Sequence, residues 1–336
     1  MQKKQKIIVA VSSLFCSALI FFSALLVLKG EKIFSITGEG EKITKNQNLK
    51  RSPFSGIPCS SSSRRAFSVV LALYPETNPL SGVSGADIVI EGPVATPMGI
   101  TRLLAIYQCQ SPPEIGSIRS VRPYMVDLAL GFDTIFASWG GCNLAIQRIK
   151  NFGLDWFDAR VLISSGTFFR KRNIPAPHNG FTSMERLMTT VKNLKVRETN
   201  QFEGYQFLKE EEITLNKEGQ EIKINYTYPV KYIYDPATGD YLRFWNGKPM
   251  EDRNTSKQVR VKNVILMKTE MANLSPGVID IQTTGVGEVL VYQGGKKIRG
   301  VWQKENPGAK LSFFDKEGNE IKFIPGPIWI ELVSKF

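Results

Sequence analysis

The sequence predicts an α+β protein. It reads as an N-terminal α/β domain followed by a β-rich C-terminal domain, behind one N-terminal transmembrane helix. Three observations carry this reading. Residues 7–28 are an unbroken apolar run, short β-branched runs alternate with helical stretches up to Leu194, and helix signals fade beyond that point.

The apolar run, IIVAVSSLFCSALIFFSALLVL, follows the lysine-rich start MQKKQK. As a helix it spans roughly 33 Å at about 1.5 Å per residue, enough for a bilayer core of about 30 Å. Lys3, Lys4 and Lys6 precede it, and Lys29 and Lys32 follow it. Both flanks are basic, so orientation rests on the N-terminal position and the long remainder, which put the tail inside and the body outside. A cleaved signal peptide would have an apolar core of about 7–15 residues ending at small residues. No A-x-A site follows Leu28. Cys16 invites lipidation, but Phe15 stands where a small residue is wanted and the run continues past it. Residues 1–29 are therefore read as an uncleaved anchor, with the protein in the cell membrane and its body extracytoplasmic.

Residues 30–64 read as a tether. They are polar, with a KNQNLKRS stretch and serines at 60–63, and bury little apolar surface. The α/β domain follows over 65–195. FSVVLALY (67–74), ADIVIE (86–91), ITRLLAIYQ (100–108) and TIFAS (134–138) are strand-like. PYMVDLALGF (123–132) opens with a proline at the first helical position. CNLAIQRIKNFG (142–153) ends on a C-capping Gly153, and SMERLMTTVKNL (183–194) starts on an N-capping Ser183. Residues 196–224 are charged and polar, a connector. Residues 225–336 form the β-rich domain, its runs paired across Gly-Gly at 294–295 and Glu-Gly-Asn at 317–319.

Formal net charge is +12, from 43 lysines and arginines against 31 acids, spread along the chain. That suits a body working near anionic lipid or a cell-wall polymer. Nucleic acid is excluded as a partner by the anchor and by the lack of any nucleic-acid motif. The membrane is the one partner the sequence implies directly, with a wall polymer or envelope proteins beyond it. Beside Cys16 there are Cys59, Cys109 and Cys142, which allow one disulfide and a free thiol, or no disulfide. The single histidine, His178, rules out a multi-histidine metal site in the monomer, and no motif implies a cofactor.

Several segments resemble a bacterial envelope family of unknown function typified by YerB, whose members are lipoprotein-like. They are NPLSGVSGADIVIE (78–91), GITRLLAIYQ (99–108), PEIGSIRSVRPYMVDLAL (113–130), the glycines at 140–141 and APHNGFTS (176–183). In the second half they are DYLRF, VKNVILMK, GKKIRGVWQK and the closing GPIWIEL. The resemblance spans roughly residues 53–333 and implies a membrane-attached, outward-facing protein of two domains, without a defined activity. The chain departs from the family pattern at VATPMG (94–99), which lacks an acid, and at Ser138 or Trp139 where a histidine is common. It also has Cys142 in place of serine, and Lys171 in place of an aspartate after Arg170.

The strongest candidate site is basic: Arg102, Arg119, Arg122 and Arg170, with His178 and Asn179. Arg119 and Arg122 lead into the helix at Pro123, whose N-terminus favours anions. Arg102 lies in an apolar strand, where a bare charge is costly unless paired. Asp87, Glu91 and Asp127 are the available partners, so an internal ion-pair network competes with an anion site. Cys142 follows two glycines and opens a helix, a nucleophile-elbow order with His178 as a base; the same position serves equally as a cap. Catalytic candidates are therefore Cys142, His178 and Asp127. Asp87, Glu91 and Asp127 supply oxygen ligands without metal-site spacing, and no metal is assigned. Trp245, Trp302 and Trp329 are either a sugar-stacking face or core. The leading expectation is an envelope protein that binds an anionic or polymeric wall ligand. The rivals are a hydrolase or transferase acting on a wall polymer or lipid-linked precursor, and a scaffold for envelope-assembly proteins.

Overall fold

The structure is a computed structural model that describes residues 49–275 and 277–336. The apolar run read as an anchor and the first part of the tether lie outside the described residues. Among the described residues, no helix is long and apolar enough to cross a membrane. These residues belong to one compact unit.

Packing starts earlier than the sequence suggests. Phe54 is fully buried and stacks on Phe202, ring centroids 4.7 Å apart. Cys59 is disulfide-bonded to Cys109, which leaves Cys142 free. One aromatic ring and one half-cystine fasten a segment whose serines alone read as tether.

The first half comprises β1 (Phe67–Ala72), β2 (Ile88–Pro93), β3 (Thr101–Tyr107), β4 (Ile115–Gly116), α1 (Pro123–Gly131), β5 (Ile135–Ser138), α2 (Asn143–Phe152), β6 (Trp156–Asp158), β7 (Phe169–Arg170), β8 (Gly180–Thr182) and α3 (Met184–Leu194). The helix ends follow local chemistry. Pro123 occupies the first turn of α1, Gly153 caps α2 at φ +62°, and the Ser183 hydroxyl accepts from the Arg186 N–H at the start of α3.

The second half begins with β9 (Glu221–Ile224), β10 (Val230–Asp235) and β11 (Asp240–Trp245). Four two-residue strands follow: β12 (Lys248–Pro249), β13 (Glu251–Asp252), β14 (Lys257–Gln258) and β15 (Arg260–Val261). Then come β16 (Asn263–Lys268), β17 (Met271–Ser275), β18 (Val278–Ile281), β19 (Gly285–Gln293), β20 (Lys296–Lys304), β21 (Ser312–Asp315) and β22 (Ile328–Val333). Gly294 and Gly295, both at positive φ, turn β19 into β20. The 196–224 region does not hang free. It carries β9, and Phe202 and Tyr205 are buried.

A ten-stranded mixed sheet, ordered β21-β20-β19-β16-β22-β2-β3-β1-β5-β6, runs through both halves. The join is the parallel pair β2–β22, with Glu91 opposite Glu331. A second sheet of five strands centres on β10 and β11. Alternate side chains feed two cores. On one side of the large sheet Val70, Leu104 and Ile90 meet Tyr124, Met125 and Leu128 of α1. On the other, Val69, Leu103 and Val89 meet Tyr232, Tyr241 and Leu187. The predicted α/β character survives in β5–α2–β6, whose strands pair in parallel, but strands dominate the fold.

Candidate functional site

The basic cluster is assembled at one end of the large sheet. Arg102 is the second residue of β3 and lies opposite Ala72 on β1 and Gly92 on β2. The segment from Ser117 to Arg122 runs beside β1, where the Arg119 N–H donates to the Val70 carbonyl at 2.9 Å, and then enters α1. Arg122 is the N-cap residue of that helix. The loop before β8 brings up His178, whose ring lies 5.4 Å from that of Tyr74.

Ser120 ties two of the guanidiniums together. Arg102 Nη1 donates to its carbonyl at 2.5 Å and its hydroxyl at 3.0 Å, and Arg122 Nη1 reaches the same hydroxyl at 3.5 Å. Arg122 Nε donates to the Val94 carbonyl at 3.0 Å, and Arg119 Nη1 to the Pro177 carbonyl at 3.1 Å. These contacts hold the side chains in place and neutralise nothing. No carboxylate of the described residues lies within 4.0 Å of Arg102, Arg119 or Arg122.

Arg102 is 3% exposed. Burial pushes its guanidinium down to about 9, and Arg122 and Arg119 add to the fall. Burial lowers Arg119 as well, against the pull of Tyr74. His178 is lowered by burial and then by Arg119, with Glu76 opposing. Several buried donors have no partner: Arg102 Nε, Arg119 Nε and the Tyr124 hydroxyl. His178 Nδ1 is likewise buried and unpaired. Clustered, desolvated cations are unfavourable in isolation and become favourable when an anion enters. The arrangement can hold an anionic oxygen group.

The competing ion-pair network does not form, because each acid has another partner. Asp87 accepts from the Ser55 hydroxyl at 2.6 Å and from the backbone of Gln108 and Cys109. Glu91 points to the opposite face of the sheet and binds Arg243 at 2.5 Å. Asp127 binds Arg148 at 2.9 Å. Arg243 lies 152 positions from Glu91, a pairing that only the folded sheets bring about.

Among the described residues, no hydrogen bond joins Arg170, Asn179 or Cys142 to the three guanidiniums of the cluster. Arg170 stacks on Trp139 at 4.1 Å and donates to Asn179 Oδ1 at 2.6 Å, so this pair braces the β7–β8 hairpin. Cys142 is the N-cap residue of α2 without a side-chain capping bond, and it packs against the apolar core. No hydrogen bond joins it to His178, whose ring packs on Tyr74. Trp245, Trp302 and Trp329 are all core. Tyr74, Ser120 and Tyr124 complete the cluster and escaped sequence reasoning. Tyr124 counted as one more apolar helix residue, and Ser120 carried no signal except its place between two arginines. A separate cavity of about 340 Å³, lined by Asp87, Cys109 and Asp252, lies on another part of the surface.

Residues 54–197 match the N-terminal domain profile of the family described as "Protein of unknown function (DUF3048)", and residues 220–330 match its C-terminal domain. The chain is 30% identical over 295 residues to "Putative lipoprotein YerB" of Bacillus subtilis (strain 168), covering 84% of this chain and 86% of that protein. The fold is similar to the crystal structure of YerB protein from Bacillus subtilis, with a TM-score of 0.77 and 29% identity over 85% of this chain and 97% of that one.

Proposed function

The chain belongs to the DUF3048 family, and from that premise we propose that it is a membrane-associated, extracytoplasmic envelope protein that binds an anionic ligand through Arg102, Arg119 and Arg122. The membrane would be reached through the apolar run at residues 7–28. Two features support the location: the relative's description as a lipoprotein, and the Cys59–Cys109 disulfide, which suits an oxidising compartment. The formal charge of +12 fits a surface rich in anionic polymer.

One observation carries the ligand reading. Three guanidiniums converge around Ser120 and Pro177, one of them buried, with no carboxylate to balance them. A purely structural cluster of this kind would normally recruit an acid, as Arg243 does with Glu91 and Glu331. The Cys142 chemistry lacks a comparable support, since no hydrogen bond joins the thiol to His178, whose ring packs on Tyr74.

The test uses the full-length protein in detergent. Inorganic phosphate titrated by calorimetry should bind, and Arg119→Ala should weaken that binding by at least tenfold while Cys142→Ala leaves it unchanged. Equal binding by Arg119→Ala and wild type would remove the site. For location, protease added to the outside of intact cells should degrade the body; complete protection would overturn it.

A further inference from the structure

Resting on the anion site above, we infer that Arg102, Arg119 and Arg122 receive the terminal phosphomonoester of a ligand, a dianion, rather than the internal phosphodiester of a polymer chain.

Charge is the first argument. A phosphodiester carries one negative charge and would leave two of the three guanidiniums uncompensated beside each other. A phosphomonoester is close to a dianion above pH 7, since its second proton leaves near pH 6. It balances two of the three cations. Arg102 is buried, and an uncompensated charge there costs more than at the surface.

Shape is the second argument. Arg102 is the most buried of the three, 3% exposed, whereas Arg119 and Arg122 are only partly buried. The Tyr124 hydroxyl, on a residue 1% exposed, is unpartnered and close enough to Arg102 and Arg122 to feel their charge. Meeting the buried guanidinium, the two partly buried ones and the tyrosine hydroxyl together suits a group with three free oxygens on one end. A monoester has them. An internal diester gives two of its four oxygens to carbon, so it offers only two to these donors.

The third argument is local geometry at Arg102. Gly92 is the cross-strand neighbour of Arg102, and a Cβ there would stand 2.8 Å from the Tyr124 hydroxyl. The glycine thus leaves the tyrosine free to sit beside the arginine. It points to a site shaped around these two donors.

The experiment compares glycerol 3-phosphate with glycerophosphoglycerol, the same headgroup as monoester and diester, by calorimetry on the full-length protein at pH 7.5. The monoester should bind at least tenfold more tightly. Arg102→Gln and Arg119→Gln should each remove that preference. Because Arg119 is only partly buried, its variant decides the matter if Arg102→Gln does not fold. A diester bound as tightly as the monoester would overturn this inference and leave the anion site standing. Failure of both probes and of inorganic phosphate to bind would overturn the anion site itself.

Discussion

Glu91 and Glu331 sit opposite each other on the parallel pair β2–β22, and a single guanidinium, that of Arg243, clasps both. All three side chains are fully buried. Arg243 also lies 4.0 Å from the ring of Trp329. The two sheets are thereby joined by a charged group of two acids and one base, with the hydroxyl of Tyr232 donating to Glu331 at 2.7 Å.

Burial, with Glu331 alongside, pushes the Glu91 carboxyl up to about 8 from an ordinary value near 4.5, despite the opposing pull of Arg243. A raised carboxyl holds its proton in the folded state after the unfolded chain has released it. Its contribution to stability is therefore complete below about pH 4.5 and is lost as pH rises to about 8. Urea unfolding of wild type between pH 5 and 8 should show this decline, and Glu91→Gln should flatten it. Identical slopes for the two proteins would contradict the assignment. Arg243→Met should cost about 3–5 kcal/mol, because it strands two buried acids.

Arg102 should behave in the opposite way. It is buried without an acid, so Arg102→Met should raise stability by about 1–3 kcal/mol while abolishing phosphate binding. Denaturation and calorimetry on the same preparation read both effects. A loss of stability comparable to that of Arg243→Met would mean that Arg102 has a structural partner.

Tyr124→Phe removes a buried hydroxyl that has no partner. Stability should stay level or rise by up to about 1 kcal/mol. Affinity for inorganic phosphate should fall several-fold. An unchanged affinity would exclude the hydroxyl from the site.

The disulfide between Cys59 and Cys109 closes a loop with a sequence separation of 50 residues. Its reduction should cost about 4 kcal/mol on the chain-entropy scale. Hydrogen exchange should locate the loosening in residues 49–64, which the bond fastens to the sheet. Equal denaturation midpoints with and without reductant would show that Phe54 alone secures this segment.

The free thiol of Cys142 makes no hydrogen bond to the cluster. Cys142→Ala removes one sulfur from a partly buried site, so a loss of about 1 kcal/mol or less is expected, with unchanged ligand binding. Loss of binding in a folded Cys142→Ala protein would return the residue to the site.

Local chemistry was easy to read from the chain. Pro123, Gly153 and Ser183 mark helix ends by rules that act within a few residues, and the helices start or stop there. The arginines of the cluster were visible because 119 and 122 lead into one helix start. What the sequence could not reveal was pairing over distance. Asp87, Glu91 and Asp127 looked equally available to Arg102, and their partners Ser55, Arg243 and Arg148 come from elements that only the folded sheet brings near. Alternation predicted the strands well but did not say that strands from both halves would share one sheet. The Phe54 anchor point was hidden for a similar reason, since its partners Phe132 and Phe202 follow it by many residues.

The position of β22 has a temporal consequence. It is the last strand in sequence order, yet it is inserted in the middle of the ten-stranded sheet, between β16 and β2. The edge of β2 must therefore stay open until β22, more than 230 residues later in the chain, arrives beside it. Such delayed closure rests on a pairing distant in sequence, so it is expected to be slow and to leave a strand edge open in the half-made molecule.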